Sequence, residues 1–212
     1  MTVIRPINPH IFNEGFTPDT GFVVSLLLIL LLSVFASLTL AKYASGRFET
    51  DKKKTAVIFT IAAVCITLIM ICFFGCTAIA VKGILFAFIL AFSSFEDVKT
   101  RECDDHLHVM IAIAAFIGTD QSHLPLMILA AIFSGGAIVC SKLIGKGKIG
   151  GADIKLAAAS AFLLGIDRGI IGLLAGTLIA FIVNIIKKNR KSGFPMIPYL
   201  AAGFTAAYFI QG

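Results

Sequence analysis

Residues 21–41 read GFVVSLLLILLLSVFASLTLA, a predominantly apolar stretch without a charged side chain. A helix of about 20 apolar residues is long enough to cross the hydrocarbon core of a bilayer. Seven further apolar stretches follow, so the sequence predicts an all-α, polytopic transmembrane helix bundle of about eight spans with no soluble domain. The predicted spans lie near 21–41, 56–75, 78–96, 105–118, 124–144, 153–166, 168–186 and 195–211.

The composition agrees with a membrane protein. Of the 212 residues, 58% are hydrophobic and only 14% are charged, whereas soluble domains carry about 25% charged residues. The formal net charge is +6. Cytoplasmic loops of membrane proteins are rich in Lys and Arg, so this charge indicates the lipid bilayer as a partner and does not indicate nucleic acid.

The positions of the basic residues predict an orientation. With eight spans, one side of the membrane receives 15 of the 18 Lys and Arg residues, and the other side receives only Arg5, Lys82 and Arg168. The richer side is expected to be cytoplasmic. Both chain ends then face outward, and residues 1–20 form an extracytoplasmic polar tail.

Two acidic residues stand at the cytoplasmic ends of predicted spans. Asp97 ends the third span and opens the charged stretch DVKTRECDD at residues 97–105. Asp153 follows a Gly-rich stretch and opens the sixth span. Ionisable groups are costly near hydrocarbon and therefore indicate a functional site. Two carboxylates held close together share one proton and can activate a water molecule.

Each motif also has a simpler structural interpretation. Glu96, Lys99, Arg101, Glu102 and Asp104, taken singly, are expected to be solvated loop charges. Asp153 is of a residue type that favours the N-cap of a helix. Gly150, Gly151 and Ala152 leave the backbone beside Asp153 uncovered, which would allow an extended peptide to lie there.

Taken together, three segments resemble the type IV prepilin peptidases. They are DVKTRECDD (97–105), GGADIKL (150–156) and PMIPYLA (195–201). The second is similar to the family pattern Gly-x-Gly-Asp-x-Lys-Leu, with Ala152 in place of the second Gly. The resemblance covers residues from about 80 to 212. It implies that residues 21–212 form a membrane peptidase domain in which Asp97 and Asp153 are the catalytic pair.

The resemblance also implies a substrate and a location. Members of this family are aspartic endopeptidases of the bacterial cytoplasmic membrane, serving type IV pili and protein secretion. They remove the short basic leader from prepilins or pseudopilins on the cytoplasmic side. Gly150, Gly151, Ala152, Lys155 and Lys99 are the expected substrate-binding or supporting residues, although flanking charge explains the two lysines equally well.

No cofactor or metal is expected. Zinc sites usually show CxxC pairs or Cys/His clusters, and the five Cys residues form neither. The loop 42–55 is too short for the cysteine-rich domain of the bifunctional family members, so methyl transfer to the product is left open. Oligomeric state is open as well. His106 and His108 are expected to have no catalytic role.

Two other classes of protein remain compatible with the sequence. In a proton- or ion-coupled transporter, Asp97 and Asp153 would be ion ligands and the Gly-rich stretch a break in a helix. In a structural subunit of a secretion machine, neither acid would be needed. Gly172 and Gly176 form a G-x-x-x-G pair, which favours close helix packing in lipid.

Overall fold

A computed structural model describes residues 5–6, 18–144, 150–187 and 194–211, and this part of the chain forms eight α-helices. They are α1 (Thr20–Arg47), α2 (Lys52–Phe74), α3 (Ala78–Thr100), α4 (Asp105–Ala114), α5 (Leu124–Ile144), α6 (Gly151–Leu164), α7 (Ile166–Lys187) and α8 (Ile197–Tyr208). Two short strands, β1 (Arg5–Pro6) and β2 (Ile210–Gln211), pair in antiparallel fashion. Most of the predicted polar tail, the lysines at 146 and 148 and the basic loop at 188–193 lie outside the described residues.

The all-α, polytopic architecture is confirmed, but the predicted number of spans is wrong. Among the described residues, five helices are long and apolar enough to cross a membrane: Thr20–Arg47, Lys52–Phe74, Ala78–Thr100, Gln121–Leu143 and Ile166–Ile186. Helices α4, α6 and α8 contain only 10, 14 and 12 residues. At 1.5 Å per residue they reach about 15–21 Å, which is shorter than the roughly 30 Å of hydrocarbon.

Backbone turns explain why these helices are shorter than the apolar runs. Helix α6 ends at Gly165, whose φ of +84° lies in the left-handed region that glycine adopts at low cost. After α4 the chain turns through residues 115–118 and reaches Gly118 at φ +61°. Apolar side chains continue through both turns, so composition does not reveal them. The predicted division of basic residues between the two sides of the membrane assumes eight spans. It therefore does not apply to a chain with five spans.

The chain divides into two compact units, Asn8–Ile84 and a second unit formed by Met1–Ile7 with Leu85–Gly212. In the first unit, α1 packs against α2. The hydroxyl of Thr67 donates to that of Ser33 at 2.9 Å, and both side chains are buried. This bond satisfies two polar groups between apolar helices, as is common in membrane bundles.

Helix α6 is the centre of the second unit. It contacts α4, α5, α7 and α8. Leu156, Ala157, Ser160 and Ala161 on α6 are fully buried, and three of these four side chains are small. Short side chains let neighbouring helices approach closely. The helix that carries Asp153 is therefore held on several sides.

Glycines bring α7 and α8 into close contact, which confirms the packing role predicted for the G-x-x-x-G pair. A Cβ atom at Gly176 would lie 2.8 Å from Leu200 Cα, and one at Gly172 would lie 3.1 Å from Phe204 Cα. On the facing helix, a Cβ at Gly203 would collide with Gly172 O and with Gly176 N. The two backbones therefore pack against each other without intervening side chains, and this packing positions the start of α8.

Candidate active site

Asp97 lies in the last turn of α3 and is only 7% exposed. One of its carboxylate oxygens, Oδ2, accepts a hydrogen bond from the backbone N–H of Ile197 at 3.1 Å. Ile197 is the first residue of α8. The first N–H groups of a helix have no partner within the helix and bind anions well. The end of α3 is thus joined to the start of α8 through the Asp97 carboxylate.

Asp153 lies in the first turn of α6 and is 8% exposed. Its Oδ2 accepts the backbone N–H of Gly150 at 3.1 Å, where Gly150 is the N-cap residue. Asp153 therefore occupies the third helical position and not the N-cap that the simpler interpretation assigned to it. A Cβ at Gly150 would stand 3.1 Å from this same oxygen, which explains why a residue without a side chain suits the position.

The structure brings the two acids close enough to interact. Burial, and secondly the negative charge of Asp97, raise the pKa of Asp153 to about 6, although the hydrogen bond from Gly150 lowers it. Burial favours the neutral form of a carboxyl group, and so does a nearby like charge. The two carboxyls are thus electrostatically coupled, and such groups titrate as a pair.

Each carboxylate keeps one oxygen available. Within the described residues, Oδ2 of each acid has a backbone donor, and no side chain there donates to either Oδ1. The free oxygens can therefore contact a water molecule or a peptide carbonyl. A Cβ added at Gly151 would meet no atom within 4 Å, so there is space beside the backbone that precedes Asp153. Ala152 is half-buried.

Glu96 is not the solvated loop acid that the sequence suggested. It is 1% exposed, and its Oε2 accepts the backbone N–H of Asp104 at 3.2 Å. This bond closes the turn between α3 and α4. A signal was present in the sequence, because Ile89, Ser93 and Glu96 share one helical face and all three are buried.

Cys103 lies in the same turn, beside the acids. Its thiol is half-buried and is hydrogen-bonded to the Ser93 hydroxyl. Burial is the main reason that the pKa of Cys103 rises to about 11, and the negative charges of Glu96 and Asp97 add to the effect. Because the thiolate is the nucleophilic form of cysteine, this thiol is poorly suited to be a nucleophile at neutral pH.

The two lysines predicted as supporting residues contact groups other than the two acids. Lys155 pairs with both carboxylate oxygens of Asp105 at 2.7 Å, which links α6 to α4 on an exposed surface. This lysine is the main reason that the pKa of Asp105 is lowered. Lys99 lies over the ring of Phe95 on its own helix, with 5.9 Å between Nζ and the ring centroid.

Neither histidine of α4 touches the acid pair through a hydrogen bond in the described residues. His106 is exposed, with Nδ1 3.5 Å from an oxygen of Asp104. His108 is buried, and burial lowers its pKa, which favours the neutral imidazole. Among the described residues, no group of three or more His, Cys, Asp or Glu side chains is placed to hold a metal ion.

One residue of the site, Ile197, was not predicted from the sequence. The backbone N–H of Ile197 supports Asp97 across 100 residues of chain. Pro195 and Pro198 flank this position, and proline near the first turn of a helix is a known start signal. The segment 195–201 was matched to the family, but no sequence pattern says which distant carboxylate its first N–H will meet.

Comparison with known proteins identifies a related family. Residues 84–185 match the type IV leader peptidase family, a range that includes both Asp97 and Asp153. The resemblance inferred from the aspartate motifs is thereby confirmed. No curated protein and no solved structure matches the chain.

Proposed function

Because residues 84–185 match the type IV leader peptidase family, we propose that the chain is a membrane aspartic endopeptidase that removes the basic leader of type IV prepilins or pseudopilins. The observation that carries the proposal is that Asp97 and Asp153 are buried carboxyls on different helices and that the charge of Asp97 raises the pKa of Asp153.

The proposed chemistry is general acid–base hydrolysis by the pair. Asp153 holds the shared proton and donates a hydrogen bond to the scissile carbonyl, while ionised Asp97 accepts a proton from the attacking water. The raised pKa of Asp153, about 6, favours this division of roles. As the pH rises through that value, Asp153 loses its proton and the pair loses its acid, so cleavage falls on the alkaline side.

Two features suit a basic leader and an extended peptide. The open space beside Gly151 allows the scissile segment to reach Asp153. An exposed acid in the turn after α3 would attract a basic leader. Near that turn, Glu96 is buried and Asp105 is paired with Lys155. Glu102 is exposed and is the better candidate, since Asp104 lies only 3.5 Å from His106 Nδ1.

The proposed orientation places the acids at the cytoplasmic face of the bacterial membrane. Lys99 and Arg101 follow Asp97 at the end of α3, Lys142 lies in the last turn of α5, and Lys155 is in the first turns of α6 beside Asp153. Positive charge at one end of the helices is typical of the cytoplasmic side. The ion-coupled transporter gains no support, because both acids lie at helix ends.

The proposal is tested with purified protein in lipid vesicles and a prepilin that carries a basic leader. Mass spectrometry of the products is expected to show a single cut between leader and mature protein. The matched control is the same prepilin with its basic leader residues replaced by Gln, which we expect to be cleaved more slowly. If folded protein leaves the first prepilin intact between pH 5 and 8, the proposed activity is wrong.

Cleavage should survive both a strong chelator and thiol reagents at neutral pH. The chemistry uses two carboxyls and water, and a Cys103 thiol with a pKa of about 11 has little reactive thiolate at pH 7. We expect Cys103→Ser to retain activity within about threefold of the parent, because Ser keeps a hydroxyl that can bond to Ser93.

The measurement is the initial rate of cleavage for the parent and Cys103→Ser, each with and without chelator and an alkylating reagent. A rate that falls with chelator and returns with added zinc would show a metal requirement and contradict the two-carboxyl chemistry. Inhibition by the alkylating reagent in the parent but not in Cys103→Ser would contradict the low reactivity that we assign to this thiol.

A further inference from the structure

An open groove of about 460 Å³ lies at the C-terminal end of α1, away from the acid pair in sequence and within the first compact unit. It is lined by Thr39, Lys42, Tyr43, Gly46 and Arg47, and these five residues define the α1 groove. All five are exposed. The groove combines two basic side chains with largely apolar walls, and the proposed function does not use it.

The length of α1 is expected to bring the groove to the depth of the lipid headgroups. Helix α1 has 28 residues and is therefore about 42 Å long, whereas the hydrocarbon layer is about 30 Å thick. The uncharged segment 21–41 is sufficient to fill that layer. Lys42 and Arg47 follow it directly, so they emerge where the phosphate groups of the bilayer lie.

An apolar surface leads from the hydrocarbon into the groove. Leu31, Phe35 and Leu38 have exposed fractions of 69%, 65% and 48%. With Lys42 they occupy positions i, i+4, i+7 and i+11, which lie on one face of a helix. An acyl chain lying along this face would bring its headgroup to Lys42.

The guanidinium of Arg47 is held in place beside that position. Arg47 donates to the hydroxyl of Tyr43 at 2.9 Å, and its Cζ atom lies 5.4 Å from the centroid of the Phe48 ring. Stacking on aromatic rings orients a guanidinium, and oriented guanidinium groups bind phosphate well. Gly46 presents no side chain between the basic groups, and a Cβ there would meet nothing within 4 Å.

The surrounding charge also favours an anion. The turn after α1 continues into Lys52, Lys53 and Lys54, and its acids are Glu49 and Asp51. Asp51 accepts the backbone N–H groups of Lys53 and Lys54 as the N-cap of α2. Basic clusters next to a membrane helix attract anionic lipids.

We propose that the α1 groove binds one anionic phospholipid of the surrounding bilayer. The headgroup phosphate lies at Lys42 and Arg47, and an acyl chain runs along Leu38, Phe35 and Leu31. This binding goes beyond the leader peptidase activity and does not depend on it.

The test is a titration of the detergent-purified protein with phosphatidylglycerol or phosphatidylcholine, in which native mass spectrometry counts the lipids that remain bound. We expect the parent to bind phosphatidylglycerol preferentially. Each basic side chain next to an anionic lipid contributes roughly fivefold in affinity, so Lys42→Gln/Arg47→Gln should bind about 30-fold more weakly. The matched control, Lys52→Gln/Lys53→Gln, removes the same charge from the neighbouring turn. These lysines do not line the groove and attract the lipid only over a longer, screened distance, so their loss should change affinity less than threefold.

A second variant, Gly46→Leu, fills the groove and leaves the charge unchanged. It should also lose preferential binding, and its unfolding temperature should remain close to that of the parent because the position is open. Equal losses in the two double variants would mean diffuse surface charge and would overturn the site. Full binding by Gly46→Leu, or displacement of the lipid by inorganic phosphate alone, would overturn it as well.

Discussion

Replacing Asp97 or Asp153 with Asn is expected to lower the rate of leader cleavage by about 10³-fold or more, a loss typical of removing a general acid or base. Asn has nearly the same shape as Asp, and its side-chain oxygen can still accept the N–H of Ile197 or of Gly150, which the carboxylates bind at 3.1 Å. The fold should therefore remain intact. The measurement is the cleavage rate of a prepilin in lipid vesicles, together with the unfolding temperature of each variant.

Glu102→Gln is the matched control, because it removes an exposed acid from the same turn. We expect it to retain most of the activity, because solvent screens the attraction between an exposed acid and the leader. Asp104→Asn should also retain most of the activity, since its backbone bond to Glu96 does not involve its side chain. Near-normal cleavage by either Asp97→Asn or Asp153→Asn would contradict the pair. Equal losses in Glu102→Gln would mean that charge near the site, and not the two specific acids, governs the rate.

Gly203→Ala is expected to cause the largest loss of stability. Its Cβ would collide with Gly172 O and Gly176 N and would lie 2.7 Å from Gly176 Cα. These are backbone atoms, which cannot move aside as a flexible side chain does. Overpacking typically costs about 1–3 kcal/mol, and we expect a value at or above the upper end, with a fall in unfolding temperature of roughly 10 °C.

The control for this substitution is Gly136→Ala on α5, where a Cβ would meet no atom within 4 Å. It should leave the unfolding temperature nearly unchanged. Gly203→Ala should also reduce cleavage, because α8 carries the Ile197 N–H that binds Asp97. If both alanine variants unfold at the parental temperature in detergent, the close approach of α7 and α8 is not the contact that stabilises the bundle.

The sequence predicts the long helices well and the short ones poorly. A run such as 21–41 has few alternatives to a membrane helix, since unpaired backbone groups are costly in lipid. The apolar runs at 105–118 and 153–166 look similar, yet the chain turns near Gly118 and at Gly165. Such turns depend on backbone angles at single residues, which hydropathy does not report.

The sequence identifies the acid pair but not its supports. Asp97 and Asp153 stand out because charge is rare at the ends of apolar helices. Glu96 adjoins Asp97 and was grouped with the loop charges, although its helical face is buried. Ile197 contributes through its backbone, so its side-chain identity gives no signal. The partner of Lys155, Asp105, is 50 residues away, and such long-range pairings follow only from the packing of α4 on α6.

The central claim is that Asp97 and Asp153 act as one coupled pair, and an infrared titration tests it most directly. The carboxyl absorption of Asp153, identified by its loss in Asp153→Asn, is followed against pH in the parent and in Asp97→Asn. This measurement needs no catalytic activity. Burial and the charge of Asp97 raise the pKa of Asp153 to about 6, so we expect a midpoint near pH 6 in the parent. Removing the Asp97 charge should lower that midpoint, because a like charge no longer opposes ionisation. An unchanged midpoint in Asp97→Asn would show that the two carboxyls do not interact and would contradict the account.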